Sequence, residues 1–137
     1  MTRPELVALL RNHKLAVQAS LHPDGAPQAA VVGIAVTDDL ELVFDTVTTS
    51  RKFANLQRDG RCAFAVWSGE LTVQLEGLAD EPVGADLERL VACYLAAFPD
   101  GHERAKWPTI AYFRVRVRWA RLSDFGVVPP RIEELAA

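Results

Sequence analysis

The sequence holds only two cysteines, Cys62 and Cys93, and they lack a CxxC spacing. One lies in an apolar strand-like run and the other in a helical run, so both read as small buried hydrophobes and no disulfide is expected. The three histidines, His13, His22 and His102, are far apart. With no HExxH or facial-triad spacing, no metal site is expected. GxSxG, GxxxxGK[ST] and GxGxxG are also missing, which removes the hydrolase elbow, the Walker loop and the dinucleotide fingerprint. The amino terminus, MTRPELVALL, has no cationic stretch leading into a long apolar core, and no apolar run is long enough to span a membrane. A soluble, cytoplasmic protein is expected. Basic residues are not in excess, since 15 Lys and Arg face 18 Asp and Glu for a net charge of −3. That balance argues against a general nucleic-acid or anionic-membrane binder and leaves room only for a local anion site.

What is present is an ordinary globular composition, 50% apolar and 24% charged over 137 residues. This predicts one domain, residues 1–137, with a real core. Thr2 and Glu5 have capping-box spacing ahead of Leu6, Leu9 and Leu10, predicting a helix over residues 1–12. Residues 15–21 alternate and stop at HPDGAP, a turn signal between two strands. The run 29–36, AAVVGIAV, is continuously apolar, as for a central strand covered on both faces, with Gly33 marking a bulge or a close approach to something bound. Residues 40–45 alternate and are expected to pair with that run.

A helix over 50–58 with Phe53 and Leu56 on one face, closed by Asp59 and Gly60, is followed by a hairpin, 61–67 and 70–77, about Ser68 and Gly69. Residues 86–98 carry apolar side chains at helical spacing. In 111–119, Phe113, Val115, Val117 and Trp119 alternate with Arg114, Arg116 and Arg118, giving an apolar face and an arginine face that is solvated or paired to acids. Residues 127–137 form a tail, loose or docked on a neighbour. About six strands in hairpin order with short flanking helices predict a mainly β (α+β) fold, an antiparallel barrel.

The stretch that concentrates chemistry is 44–56, FDTVTTSRKFANL. Hydroxyls of Thr46, Thr48, Thr49 and Ser50 precede Arg51 and Lys52 at the start of the predicted helix. An anion there would meet hydrogen-bond donors, fixed charge and the helix dipole together. The alternative is an ordinary capped loop with two solvated cations. Two cations in a first turn have the wrong sign for the dipole, which favours a bound anion.

Taken together, the strand, T-x-x-x-S-R-K, the helix, a strand ending at Trp67 and then V-Q-L-E-G resemble the pyridoxamine 5'-phosphate oxidase-like family of FMN-binding split β-barrels. The similarity spans about residues 15–125, and its specific motif is confined to 44–77. The resemblance implies that Asp45, Thr46, Ser50, Arg51, Lys52 and Gln74 contact FMN, the cations holding its phosphate. It implies that Ala30, Val31, Val32 and Gly33 approach the isoalloxazine ring through backbone groups. It also implies a homodimer with the cofactor at the subunit interface.

Family members of this size bind FMN, the deazaflavin F420 or, in some cases, haem. The family's vitamin B6 oxidases carry Arg and Lys at the two ends of the ring-facing strand, where this chain has small apolar residues, and an arginine and histidine motif after the stretch that here reads WARLSDF. The expectation is therefore an FMN-dependent oxidoreductase with its small-molecule substrate unassigned and no catalytic acid or base named. The alternatives are a non-catalytic flavin-binding or sensing module, or an F420-dependent reductase on the same fold.

Overall fold

A computed structural model describes residues 1–136. Helix α1 (Arg3–His13) begins as its spacing predicts. The Thr2 hydroxyl accepts the Glu5 N–H while the Glu5 carboxylate accepts the Thr2 N–H, and Leu6, Val7 and Leu10 are buried. Strands β1 (Leu15–Leu21) and β2 (Pro27–Gly33) form the expected hairpin in full register from Leu15↔Gly33 to Leu21↔Pro27.

The run 29–36 is not one central strand. It breaks at Ile34, whose N–H is held by the Lys14 carbonyl, and only Ala35 and Val36 continue as β3 (Ala35–Val36), paired with β4 (Glu41–Val47). In β2 itself, Ala29, Ala30 and Val31 are exposed. Continuous apolarity came from two sources: β3 is buried on both sides, whereas β2 is an edge strand exposed along Ala29, Ala30 and Val31 and buried only at Val32.

After β4, Ser50 caps α2 (Arg51–Arg58), its hydroxyl accepting the Phe53 N–H. Asp59 closes that helix as its C-cap in an extended conformation, its N–H donating to the Asn55 carbonyl, and Gly60 packs against Ala79. Strands β5 (Arg61–Ser68) and β6 (Leu71–Asp80) make the second hairpin, followed by α3 (Gly84–Ala97) and a short α4 (Gly101–Arg104) that the sequence did not signal. Strand β7 (Ile110–Asp124) is the longest, and β8 (Arg131–Ala136) pairs with its second half. The expected loose tail is therefore largely a strand, docked on its own chain; residue 137 lies outside the described residues. The split of 29–36 and this terminal strand account for eight strands where about six were expected.

All pairings are antiparallel, in the order β2-β1-β5-β6-β7-β4-β3, and the sheet curls into a half-barrel with short flanking helices. Inside, Phe44 stacks on Phe113 at 5.7 Å and meets Phe64 edge-on at 6.2 Å. Because β2 and β3 are the two edges of one sheet and adjacent in the chain, β2 comes close to β4 without pairing to it. That unpaired seam positions the site.

Strand β7 departs from strict alternation. Glu76 faces Trp119 but Gly77 faces Val117, so Arg118 is an extra residue in a bulge. A Cβ at Gly77 would strike the Arg116 carbonyl, which is why glycine stands opposite the bulge. Phe113 and Val115 point into the core as expected, but beyond Arg118 the phase inverts. Ala120 and Leu122 are buried, and Trp119 lines an outer groove beside Gln74 and Ala65. Arg114, expected on an outer arginine face, is 6% exposed and bound to Asp80 at 2.6 Å, with Asp86 and Glu41 also within ion-pair distance.

Candidate functional site

Helix α2 projects its first turn onto the seam beside β2. Ser50 is there for a local reason: the Thr46 and Ser50 hydroxyls bond each other at 2.8 Å and Ser50 caps the helix, so both are largely satisfied within the chain. Thr48 and Thr49 are exposed. Arg51 and Lys52 follow as the first two helical residues. Neither is ion-paired to a carboxylate among the described residues. Two unneutralised cations beside a helix start make the local field strongly positive in a chain whose net charge is −3.

Two clefts meet at Lys52. The first, about 380 Å³, lies between α2 and the hairpin β1–β2 and is lined by Gln18, Ser20, Gln28, Ala30, Arg51 and Lys52. The second, also about 380 Å³, runs along the other side of β2 past Val31, Val32, Gly33 and Thr46 to Tyr94, Phe98 and Arg104. The structure thus brings Ala30, Val31, Val32, Gly33, Asp45, Thr46, Arg51 and Lys52 to one seam. Gln74 is not among them. It projects from the outer face of β6, in a groove with Val17, Ala19, Ala65 and Trp119.

Asp45 faces the second cleft, but its carboxylate is occupied. Tyr94 donates its hydroxyl to Oδ1 at 3.0 Å and Arg104 donates Nε to Oδ2 at 2.8 Å. Arg104 also reaches Tyr94 and Asp100, at 3.0 and 2.9 Å. Burial raises the Tyr94 phenol above its ordinary range, and the adjacent Asp45 charge adds to the shift, so this hydroxyl stays protonated and donating. Gly33 has a neighbour of its own: a Cβ there would lie 2.7 Å from Cζ of Phe98.

Sequence reasoning missed a polar cluster in the first cleft. Gln18, Ser20 and Asn55 are 1%, 3% and 3% exposed. Asn55 Nδ2 donates to Ser20 Oγ at 3.1 Å and to Gln28 Oε1 at 2.9 Å, tying α2 to both strands of the hairpin. The sequence signals the opposite, because Leu15, Val17, Ala19 and Leu21 form the apolar phase of β1 whereas Ala16, Gln18 and Ser20 are the buried residues. Tyr94 and Arg104 carried no signal either, because nothing local in α3 or in GHER marks a contact with β4.

Among the described residues, no cluster of three or more His, Cys, Asp or Glu is placed to hold a metal ion. No helix of the described residues is long and apolar enough to cross a membrane.

The family model for pyridoxamine 5'-phosphate oxidase matches residues 2–123. No curated protein matches the chain. Among solved structures, a heme binding protein from Mycobacterium smegmatis superposes with a TM-score of 0.85 at 20% identity, covering 99% of this chain and 58% of that one, so the chain spans less than two thirds of that relative. General Stress Protein 26 from Bacillus anthracis gives 0.74 at 14% identity, covering 98% of both chains. A heme storage protein from Vibrio cholerae gives 0.72 at 12%, covering 85% of this chain and 91% of that one. These likenesses establish the fold.

Proposed function

The chain belongs to the pyridoxamine 5'-phosphate oxidase family, and from that premise we propose that it binds FMN and acts as an FMN-dependent oxidoreductase on a small-molecule substrate. The observation that carries the reading is the pair Arg51 and Lys52. Among the described residues they have no carboxylate partner, and they sit on a capped helix start that opens onto a seam whose other wall is an unpaired strand edge.

The residues present fit such a cofactor. Arg51 and Lys52 would hold the phosphate by charge-assisted hydrogen bonds, with the first-turn N–H groups of α2 adding dipole. The free edge of β2 at Ala30 to Gly33 offers alternating backbone donors and acceptors to a planar ring with a polar rim. When bound, a flavin supplies two-electron hydride chemistry at N5, and the protein's part is to bind, orient and exclude water. Asp45 would act through the backbone it fixes, since its carboxylate is already taken by Tyr94 and Arg104.

Gln74 enters this reading through a second copy. Its groove belongs to an outer sheet face of small side chains, Ala19, Ala63 and Ala65, beside Trp119. A flat face of that kind suits back-to-back association, which would carry Gln74 of one copy toward the seam of the other and make the protein a homodimer.

One observation favours a second reading, a flavin-binding or sensing module without turnover: among the described residues the carboxylates lining the clefts, Asp45 and Asp100, are both engaged, no histidine lines either cleft, and the free cations there are the two assigned to the phosphate. Absorbance scanning of the purified protein, with mass identification of the released cofactor, tests the primary reading. FMN is expected, whereas F420, haem or a colourless protein with no affinity for added FMN would overturn it. Reoxidation of the reduced bound flavin by candidate acceptors, faster than that of free flavin, separates enzyme from module.

A further inference from the structure

The first cleft holds an acceptor that the cradle does not explain. Gln18 is 1% exposed, yet its side chain lines the cleft beside Arg51 and Lys52. Its Nε2 donates to the Ala19 carbonyl at 3.0 Å. This bond fixes the amide, because turning it over would set oxygen against oxygen. Oε1 therefore points the other way, and no group in the described residues donates to it. Tyr112 Oη is the sole unpartnered side-chain polar atom sealed from solvent among those residues, so Gln18 Oε1 opens onto the cleft.

Beside it, Ser20 Oγ accepts from Asn55, which leaves the serine's own proton free to donate. Asn55 is thereby a positioning residue, its amide spanning Ser20 and Gln28. An acceptor that opens onto a cleft with no protein donor is left for a ligand hydroxyl or a water to satisfy. Two cations lie a short way along the same cleft. The chemistry that answers both features is a polyol chain ending in a phosphate, with hydroxyl donors at one point and an anion at the next.

Resting on the flavin reading above, we infer that Gln18, with Ser20, recognises the hydroxylated side chain between ring and phosphate, Gln18 Oε1 accepting a ligand hydroxyl. Gln18 is then a specificity-determining residue for hydroxyl-bearing flavins, separate in role from the phosphate-binding cations.

Three flavins divide the contributions. Lumiflavin has the ring alone, riboflavin adds the hydroxyl chain and FMN adds the phosphate. The wild-type protein is expected to bind riboflavin at least about fivefold more tightly than lumiflavin, the value of one neutral hydrogen bond. Gln18→Met is expected to reduce that ratio by about fivefold while leaving the FMN-to-riboflavin ratio unchanged. Lys52→Ala is expected to do the reverse.

A Gln18→Met protein that weakens all three flavins equally, or FMN alone, overturns the assignment. If that variant does not fold, the wild-type comparison decides: equal affinity for riboflavin and lumiflavin overturns the role of Gln18 while FMN binding still supports the cofactor reading. Failure of wild-type protein to bind any of the three removes the cofactor reading itself, and this inference with it.

Discussion

Arg104 donates Nε to Asp45 Oδ2 at 2.8 Å, joining the short helix α4 to the end of β4 across 59 residues of sequence. Both side chains are mostly buried, at 26% and 12% exposure. Removing the cation leaves a carboxylate in poor solvent with only the Tyr94 hydroxyl donating to it, at 3.0 Å. Arg104→Ala is accordingly expected to cost about 1–3 kcal/mol in urea denaturation. FMN affinity is expected to fall less in this variant than in Lys52→Ala, because Arg104 acts on the strand and not on the ligand.

Lys52 and Arg51 should show the opposite balance. Each is ion-paired to no carboxylate among the described residues, so alanine at either position should leave the folding midpoint nearly unchanged. FMN binding should weaken by roughly 1.5–3 kcal/mol per charged hydrogen bond lost. Fluorescence titration measures this directly, and unchanged affinity would show that the cradle holds something else.

Gly33 and Phe98 form a testable pair. An added methyl would sit 2.7 Å from the phenyl ring, so Gly33→Ala should destabilise by about 1–3 kcal/mol through overpacking. Combined with Phe98→Ala, which clears that space, the glycine substitution should become nearly neutral. A double-mutant cycle reports the coupling as the difference.

The outer face bearing Gln74 predicts a particle of twice the chain mass by light scattering. Ala63→Arg places a buried charge in that proposed interface and should yield monomers with reduced FMN affinity. A flavin-loaded wild-type monomer would remove the interface site.

Acid should loosen α3 from the sheet. Glu41 is held below its ordinary value of 4.5, chiefly by the Arg89 guanidinium, and Asp86 below 3.8 by Arg89 and Arg114. Carboxyls depressed in the folded state stabilise it above their ordinary values, and that contribution disappears as pH falls through the folded ones. Thermal midpoints should therefore drop below about pH 4.5. Glu41→Gln should make that drop shallower.

Much of the fold was legible because its signals are local. The capping box of α1, the hairpin about Gly69 and the capped start of α2 each rest on residues within one turn of each other. The errors arose where a long-range fact assigned the meaning. Residues 29–36 carry one apolar pattern for two environments, since only the topology distinguishes an uncovered edge from a buried strand. Of the site, Thr46, Ser50, Arg51 and Lys52 were marked by spacing, whereas Tyr94 and Arg104 reach Asp45 from helices 49 and 59 residues away. Gln18 was not readable, because β1 buries its more polar phase, Ala16, Gln18 and Ser20, and leaves Leu15, Val17, Ala19 and Leu21 on the less buried one.

The extra residue at Arg118 makes β7 serve two surfaces in succession, its first half feeding side chains such as Phe113 to the core and its second half turning Trp119 outward. A tryptophan and a core alanine thus exchange compartments through a single step of backbone phase. Were the strand to run on without the bulge, Trp119 would face the core and Ala120 the outside. Excising Arg118 together with the bulge would instead restore plain alternation, with Val117 inward, Trp119 outward and Ala120 inward, each where it already lies. One surplus residue thus lets the strand change its local bend and twist at Gly77 without moving any side chain beyond it into the wrong medium.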